Sequence, residues 1–202
     1  MTHWTSELQA YRAPLLKLEE AASAAYNAFV YRDEQQAALV RAMLFDRGVA
    51  EFTGPRTSGM VHDGRLMAFI SALPAEELRK CRMKSALAIA KAGFFDEDPE
   101  LYGRMQVAAT TGASLEDGDH YISRVAVDPQ FSGRGLAGLL IEHARERAAS
   151  GGASRLTLEV ASQNHVAQKL YLRHGFQEVA VRQADDPRTG RSLSLIQLAK
   201  RV

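Results

Sequence analysis

The stretch Tyr121–Leu140, YISRVAVDPQFSGRGLAGLL, constrains the fold of this chain more than any other. Ile122, Val125 and Val127 alternate with polar residues and predict a strand. Asp128-Pro129 ends it, because proline has no N–H with which to continue a ladder. Gly133, Gly135 and Gly138 follow, and from Leu136 the apolar residues Leu136, Leu139, Leu140 and Ala144 recur at helical spacing. A helix that begins among glycines leaves its first N–H groups uncovered. Together with the positive end of the helix dipole, those donors make a site for an anion such as a phosphate.

Two nucleotide motifs share these letters. Gly133-Arg134-Gly135-Leu136-Ala137-Gly138 satisfies G-x-G-x-x-G, with Glu159 near the end of the next predicted strand as the acid of a dinucleotide fingerprint. In that fingerprint, however, the strand runs directly into the first glycine, whereas five residues intervene here. The letters also give G-x-x-x-x-G, but Leu139 and Leu140 stand where a P-loop needs Lys and Ser or Thr to hold phosphates and Mg²⁺.

More residues support a third reading. Gln130-Phe131-Ser132-Gly133-Arg134-Gly135, preceded by Val125–Pro129 (VAVDP), resembles the acetyl-CoA loop Q/R-x-x-G-x-G/A of the GNAT superfamily of N-acetyltransferases. Downstream, Leu156–Phe176, LTLEVASQNHVAQKLYLRHGF, is similar to the family's second signature: a strand, an asparagine opening a helix, then Leu-Tyr and Gly-Phe. The resemblance is specific from about Tyr121 to Val181. It implies an α/β fold of the GNAT acyl-CoA N-acyltransferase type: a mixed, mostly antiparallel sheet with a central parallel strand pair that splays apart, flanked by helices.

The resemblance further implies acetyl-CoA as co-substrate, no metal, and a small-molecule or peptide amine as acceptor. Backbone groups at Val125, Ala126 and Val127 would hold the pantetheine arm like an added strand, with the Val127 N–H on the thioester oxygen. Gln130, Gly133, Arg134, Gly135, Leu136 and Ala137 would form the phosphate loop. For Asn164 the family match favours a CoA contact, beside or instead of a helix cap. A homodimer accords with family habit. The alternative is a module of the same fold that binds CoA thioesters without turnover, as a sensor.

Composition narrows the class. With 202 residues, 46% of them hydrophobic, one well-cored domain over 1–202 is expected. Lysine plus arginine (25) nearly balances aspartate plus glutamate (24), so nothing suggests a nucleic-acid partner. A single cysteine, Cys81, excludes an internal disulfide framework and fits a cytoplasmic protein. No apolar run approaches the roughly 20 residues that span a bilayer, and the first twelve residues lack a signal-peptide core.

Along the chain, Leu15, Leu18, Ala22, Ala25, Tyr26 and Phe29 predict one helix over Ala13–Tyr31. Asp33 and Gln36 suggest a capping box for a second helix that ends at Gly48. The family's first strand finds candidates only near Leu8–Arg12 or Leu15–Leu18. Asp63-Gly64 predicts a tight hairpin within Gly59–Leu73. Helical segments over Ala75–Ala92 and Pro99–Ala108 make 74–114 look like an insertion, either plain cover for the sheet or a wall over the acceptor site. A parallel strand Arg155–Ala161, a helix after Asn164, and strands Phe176–Arg182 and Ser192–Leu198 complete the layout.

Acetyl transfer from a thioester needs a placed carbonyl, a neutral amine and a proton for the departing thiolate. Tyr171 matches the family tyrosine that acts as general acid. Asn164, Gln168 and Tyr171 fall on one polar-tipped helix face, beside an apolar face with Val166 and Leu170. Glu159, in LEVASQN, resembles the proposed base of the ribosomal-protein alanine acetyltransferases, although alternation with Leu156, Leu158 and Val160 leaves its facing open. His143, His165 and His174 read as solvated helix residues, and one of His120, Tyr121 and Ser123 as a wall of the acceptor pocket.

Overall fold

Asp63 and Gly64 both adopt positive φ (46° and 74°), as a type I′ turn requires, and join β2 (Thr57–His62) to β3 (Arg65–Pro74). This hairpin opens the sheet of the computed structural model, which describes residues Met1–Val202. The first strand lies earlier than expected. β1 (Thr2–Thr5) pairs antiparallel with β2, whereas Leu8–Tyr11 forms a 3₁₀ turn, and Leu15 and Leu18 are buried from α1 (Arg12–Ala22). Three of the four β1 residues are exposed, so this edge strand has no apolar alternation to reveal it.

The helix expected over Ala13–Tyr31 is in fact two. α1 stops at Ser23 and α2 (Ala24–Val30) begins anew, with the Ser23 hydroxyl donating to Glu19 Oε1 at 2.5 Å. Asp33 caps α3 (Glu34–Asp46) by accepting from the Gln36 N–H at 2.8 Å. The Gln36 side chain reaches back one residue further than a capping box specifies, to the Arg32 N–H. After β3 come α4 (Ala75–Lys91), α5 (Phe94–Glu97) and α6 (Leu101–Ala109), then β4 (Asp119–Val127), α7 (Leu136–Ser150), β5 (Arg155–Ala161), α8 (His165–Arg173), β6 (Gln177–Asp186) and β7 (Arg191–Arg201).

The seven strands lie in the order β1-β2-β3-β4-β5-β7-β6, antiparallel throughout except for β4 and β5. Each face has its own core. On one, α1–α3 and the 75–118 segment bury Phe29, Phe45, Phe69, Ile89 and Leu101; on the other, α7 and α8 bury Ile70, Leu140, Ile141, Leu156 and Tyr171. Leu101 is fully buried, and Arg104 of α6 donates to the Val30 carbonyl at 2.6 Å. The segment between β3 and β4 is therefore structural cover, continuous with the core.

β4 and β5 pair only from Asp119↔Arg155 to Ile122↔Leu158, although both strands continue. A bidentate bond from Arg155 to Asp119 (2.6 and 2.7 Å) closes this end. Beyond Ile122 the β3–β4 register shifts, leaving Ser123 as an extra residue. Such a bulge bends its strand and increases its twist. From there the two strands part, which is the splay that the family resemblance implied.

Candidate active site

The loop after β4 is assembled from backbone. Asp128 accepts from the Gln130 N–H (2.9 Å), and Pro129–Phe131 form a 3₁₀ turn. Gly133 and Gly135 then take φ of 75° and 76°, and nothing lies within 4 Å of where a Cβ would stand at either. The N–H groups of residues 133 to 137 donate to no group of the chain; the Gly138 N–H is the first engaged, to the Gly135 carbonyl at 3.0 Å. Five consecutive free donors at a helix N-terminus form a cradle for an anion. Gly138 does something else: a Cβ there would meet the His174 ring at 2.9 Å, so this glycine lets α7 and α8 approach.

Cations surround the loop. The guanidinium groups of Arg134 and Arg65 lie 5.2 and 5.5 Å from the Phe131 ring centre, and Arg65 also donates to Gln130 Oε1 at 2.6 Å. Gln130, with both its N–H and its side-chain oxygen engaged, shapes the loop from within. Sequence reading missed Arg65, which arrives from the hairpin turn with a separation of 65 residues.

Above the loop the gap between β4 and β5 exposes strand backbone. The Asp128 N–H donates to Met67 of β3, so by the two-residue alternation Val125 and Val127 direct their backbone groups away from β3, into the gap. Ala126 has the opposite orientation and packs against the α1–α3 core.

A cleft of about 450 Å³ continues the gap, lined by Ala22, Ala24 and Ala25 at the α1–α2 break, Ile122–Val125 of β4, Glu159–Ala161 of β5, Gln163, and Asn164, Ala167 and Tyr171 of α8. It brings Glu159, Tyr171, Asn164 and Val125 together. A cleft of similar volume between Ser6–Ala10 and Phe45–Gly54 holds none of the residues singled out from the sequence. Asn164 Oδ1 accepts from the Ala167 N–H at 3.1 Å, capping α8. Gln168 donates to the carbonyls of Ala161 and Ser162. Tyr171 is buried edge-on against Phe176, and burial pushes its hydroxyl pKa up to about 12. The expected apolar face of α8 is only half right, since Val166 is 82% exposed.

Glu159 resolves its facing. Leu156, Leu158 and Val160 enter the α7 core, so Glu159 points to the other side, where the Tyr121 hydroxyl donates to its Oε2 at 2.6 Å. Its Oε1 is buried without a hydrogen-bond partner. A buried acceptor left unpaired costs about 1–3 kcal/mol. Burial raises the Glu159 pKa; the Tyr121 hydrogen bond and then the positive charge of Arg82 work against that rise. Beside this pair runs a chain of ion pairs: Arg82 to Glu51 (3.1 Å), Glu51 to Arg124 (3.6 Å), Arg124 to Glu19 (2.9 Å) and Glu19 to Arg41 (2.8 Å).

Among the other candidates, Ser123 lines the cleft and Tyr121 lies behind Glu159, whereas His120 is buried on the α7 side, where burial and then the charge of Arg147 lower its pKa. Two histidines expected to be solvated are packed. His143 stacks on Trp4 at 4.0 Å and lies 3.0 Å from the Ser58 hydroxyl, and His174 abuts Gly138. No group of three or more His, Cys, Asp or Glu is placed to hold a metal ion, and no helix is long and apolar enough to cross a membrane.

Comparison with known proteins agrees with this fold. The profile of the acetyltransferase (GNAT) family matches residues 15–176. The [ribosomal protein bS18]-alanine N-acetyltransferase of Escherichia coli K12 is 34% identical over 95 residues, 46% of this chain and 63% of that protein. The corresponding enzyme of Salmonella typhimurium is 37% identical over 79 residues, 39% of this chain and 52% of its own length. The chain thus spans between half and two-thirds of the length of these two relatives. In fold, an N-acetyltransferase from Staphylococcus aureus superposes with a TM-score of 0.67 at 15% identity, over 99% of this chain and all of that one.

Proposed function

This chain belongs to the acetyltransferase (GNAT) family, and from that premise we propose that it binds acetyl-CoA through the 133–137 loop and the β4–β5 gap and transfers the acetyl group directly to a primary amine. The observation that carries this reading is the run of five free N–H groups leading into a strand gap that ends beside Glu159 and Tyr171.

In the proposed reaction the CoA pyrophosphate lies on the N-terminus of α7. The pantetheine arm pairs with the backbone of Val125 and Val127, and the Val127 N–H polarises the thioester carbonyl. The amine nitrogen attacks that carbonyl carbon. As the C–N bond forms, the nitrogen loses a proton to Glu159; as the C–S bond breaks, the CoA sulfur takes a proton from the Tyr171 hydroxyl. With a pKa near 12, Tyr171 is protonated at neutral pH and can act as that acid. Asn164, capped through Oδ1, keeps its amide N–H₂ for the ligand.

The relatives' acceptor, an alanine of a ribosomal protein, makes a peptide with an N-terminal alanine the first acceptor to assay. The cofactor half of the reading is tested without any acceptor, by calorimetric titration with acetyl-CoA of the parent protein beside Gly135→Glu. The substitution places a carboxylate at the cradle and a side chain at φ 76°. Binding by the parent, weakened roughly 100-fold or more in the variant, is the expected result. A folded parent that does not bind acetyl-CoA would overturn the proposal.

A further inference from the structure

We infer that Arg82 and Tyr121 are positioning residues that fix one oxygen of Glu159 and favour its carboxylate form, so that the segment between β3 and β4 contributes to the transfer site. The inference rests on the reading of Glu159 as the base.

Tyr121 lies within the paired end of β4, opposite Thr157 in register, and its ring is buried between Leu73, Leu78 and Cys81. The α4 helix supplies two of those contacts, Leu78 and Cys81, and so fixes the ring. It also supplies Arg82, whose guanidinium lies 5.7 Å from the Tyr121 ring centre and donates to Glu51 at 3.1 Å. Ring and cation are thus set by one turn of one helix. The Tyr121 hydroxyl is left with Glu159 Oε2 as its partner, at 2.6 Å. Burial and the Glu159 charge raise the Tyr121 pKa well above its ordinary value, so it remains the donor of this bond.

A carboxylate this enclosed is stabilised only by what faces it. From β4 comes Tyr121, and from α4 the charge of Arg82; the Ala113 N–H faces it from the loop after α6; Glu51, ahead of β2, opposes ionisation. Arg124 of β4 is paired with Glu19 and Glu51, and Tyr26 of α2 lies in the field of Glu51, Arg82 and Arg124. From β7, Gln197 stands opposite Glu159 but is committed to Ser114 and to Arg182 of β6. Tyr171 of α8 closes the cleft side. Tyr121 through its hydrogen bond, and then Arg82 through its charge, are thus the foremost groups that oppose the effect of burial on Glu159. Removing either raises the pKa of Glu159, and a base protonated at working pH cannot accept the amine proton.

The test is a pH titration of the full chain carrying ¹³C-labelled glutamate, followed at the side-chain carboxyl carbons, with Glu159→Gln identifying the Glu159 signal. The expected result is a Glu159 midpoint displaced to higher pH in Tyr121→Phe and, by less, in Arg82→Met, and restored in Arg82→Lys. Arg82 is 46% exposed at its side chain, so Arg82→Met carries the test should Tyr121→Phe not fold. Midpoints unmoved in folded Tyr121→Phe and Arg82→Met, or moved equally in Arg82→Met and Arg82→Lys, overturn the inference. The base reading fails separately, if Glu159→Gln keeps the parent's kcat/KM toward an amine that the protein acetylates.

Discussion

The loop that follows β4 and the wall around Glu159 border one cleft but are built in opposite ways. The loop is a single run of residues presenting main-chain N–H groups, and its chemistry depends on backbone conformation and the absence of side chains at Gly133 and Gly135. The wall draws Glu19, Glu51, Arg82, Glu159 and, from β4, both Tyr121 and Arg124, from five separate segments, and its chemistry depends on side-chain charge and burial. A backbone site is sensitive chiefly at its glycines and has no pKa to disturb. A buried charge network is sensitive to each member and to pH, because each charge is stabilised chiefly by its neighbours.

That contrast gives ordered expectations. The largest effect belongs to the loop, where Gly135→Glu should weaken acetyl-CoA binding roughly 100-fold or more, while the strain of a side chain at φ 76° lowers the melting temperature by only a few degrees; a variant that binds as the parent does would deny the loop its role. Next comes the segment between β3 and β4. Leu101→Ala empties a fully buried site and should lower the unfolding free energy by about 3 kcal/mol in urea titrations. A segment that acted only as a lid would leave the denaturation midpoint where it was.

Tyr171→Phe should reduce kcat about 100-fold with the acetyl-CoA dissociation constant unchanged, separating chemistry from binding. Unaltered single-turnover rates would remove Tyr171 from the reaction. The smallest effect is expected at the paired end of β4 and β5. Asp119 is buried, which opposes its charge, yet the bidentate bond from Arg155 prevails and lowers its pKa. Its stabilising contribution is therefore present above the ordinary carboxylate range and is lost as pH falls through the depressed folded value. Asp119→Asn should cost about 2 kcal/mol at neutral pH and flatten the acid side of the stability profile. A variant as acid-labile as the parent would assign that lability to other carboxylates.

Much of the cofactor half was legible in the sequence because its determinants are local. The Asp128-Pro129 stop, the glycine spacing, the Asp63-Gly64 turn, the Asp33 cap and the strand Arg155–Ala161 all act within a few residues of themselves. Where reading failed, the determinants were distant or faint. The edge strand Thr2–Thr5 has no buried alternation, and the α1–α2 break turns on a Ser23 bond to Glu19, which also serves Arg124 from 105 residues away. Val166 and His143 were misplaced because helical spacing shows that a face exists, not which neighbour covers it.

By itself, the sequence determined that a strand would end at Val127 and that a helix would begin among glycines with its first donors free, since backbone conformation there follows from proline, glycine and the hydrogen-bonding limits of a helix end. Only the tertiary structure decided which way Glu159 points and what holds it. In a strand, facing is set by the register of its neighbours, and the partners Tyr121 and Arg82 come within reach only once β4 pairs with β5 and α4 folds over them.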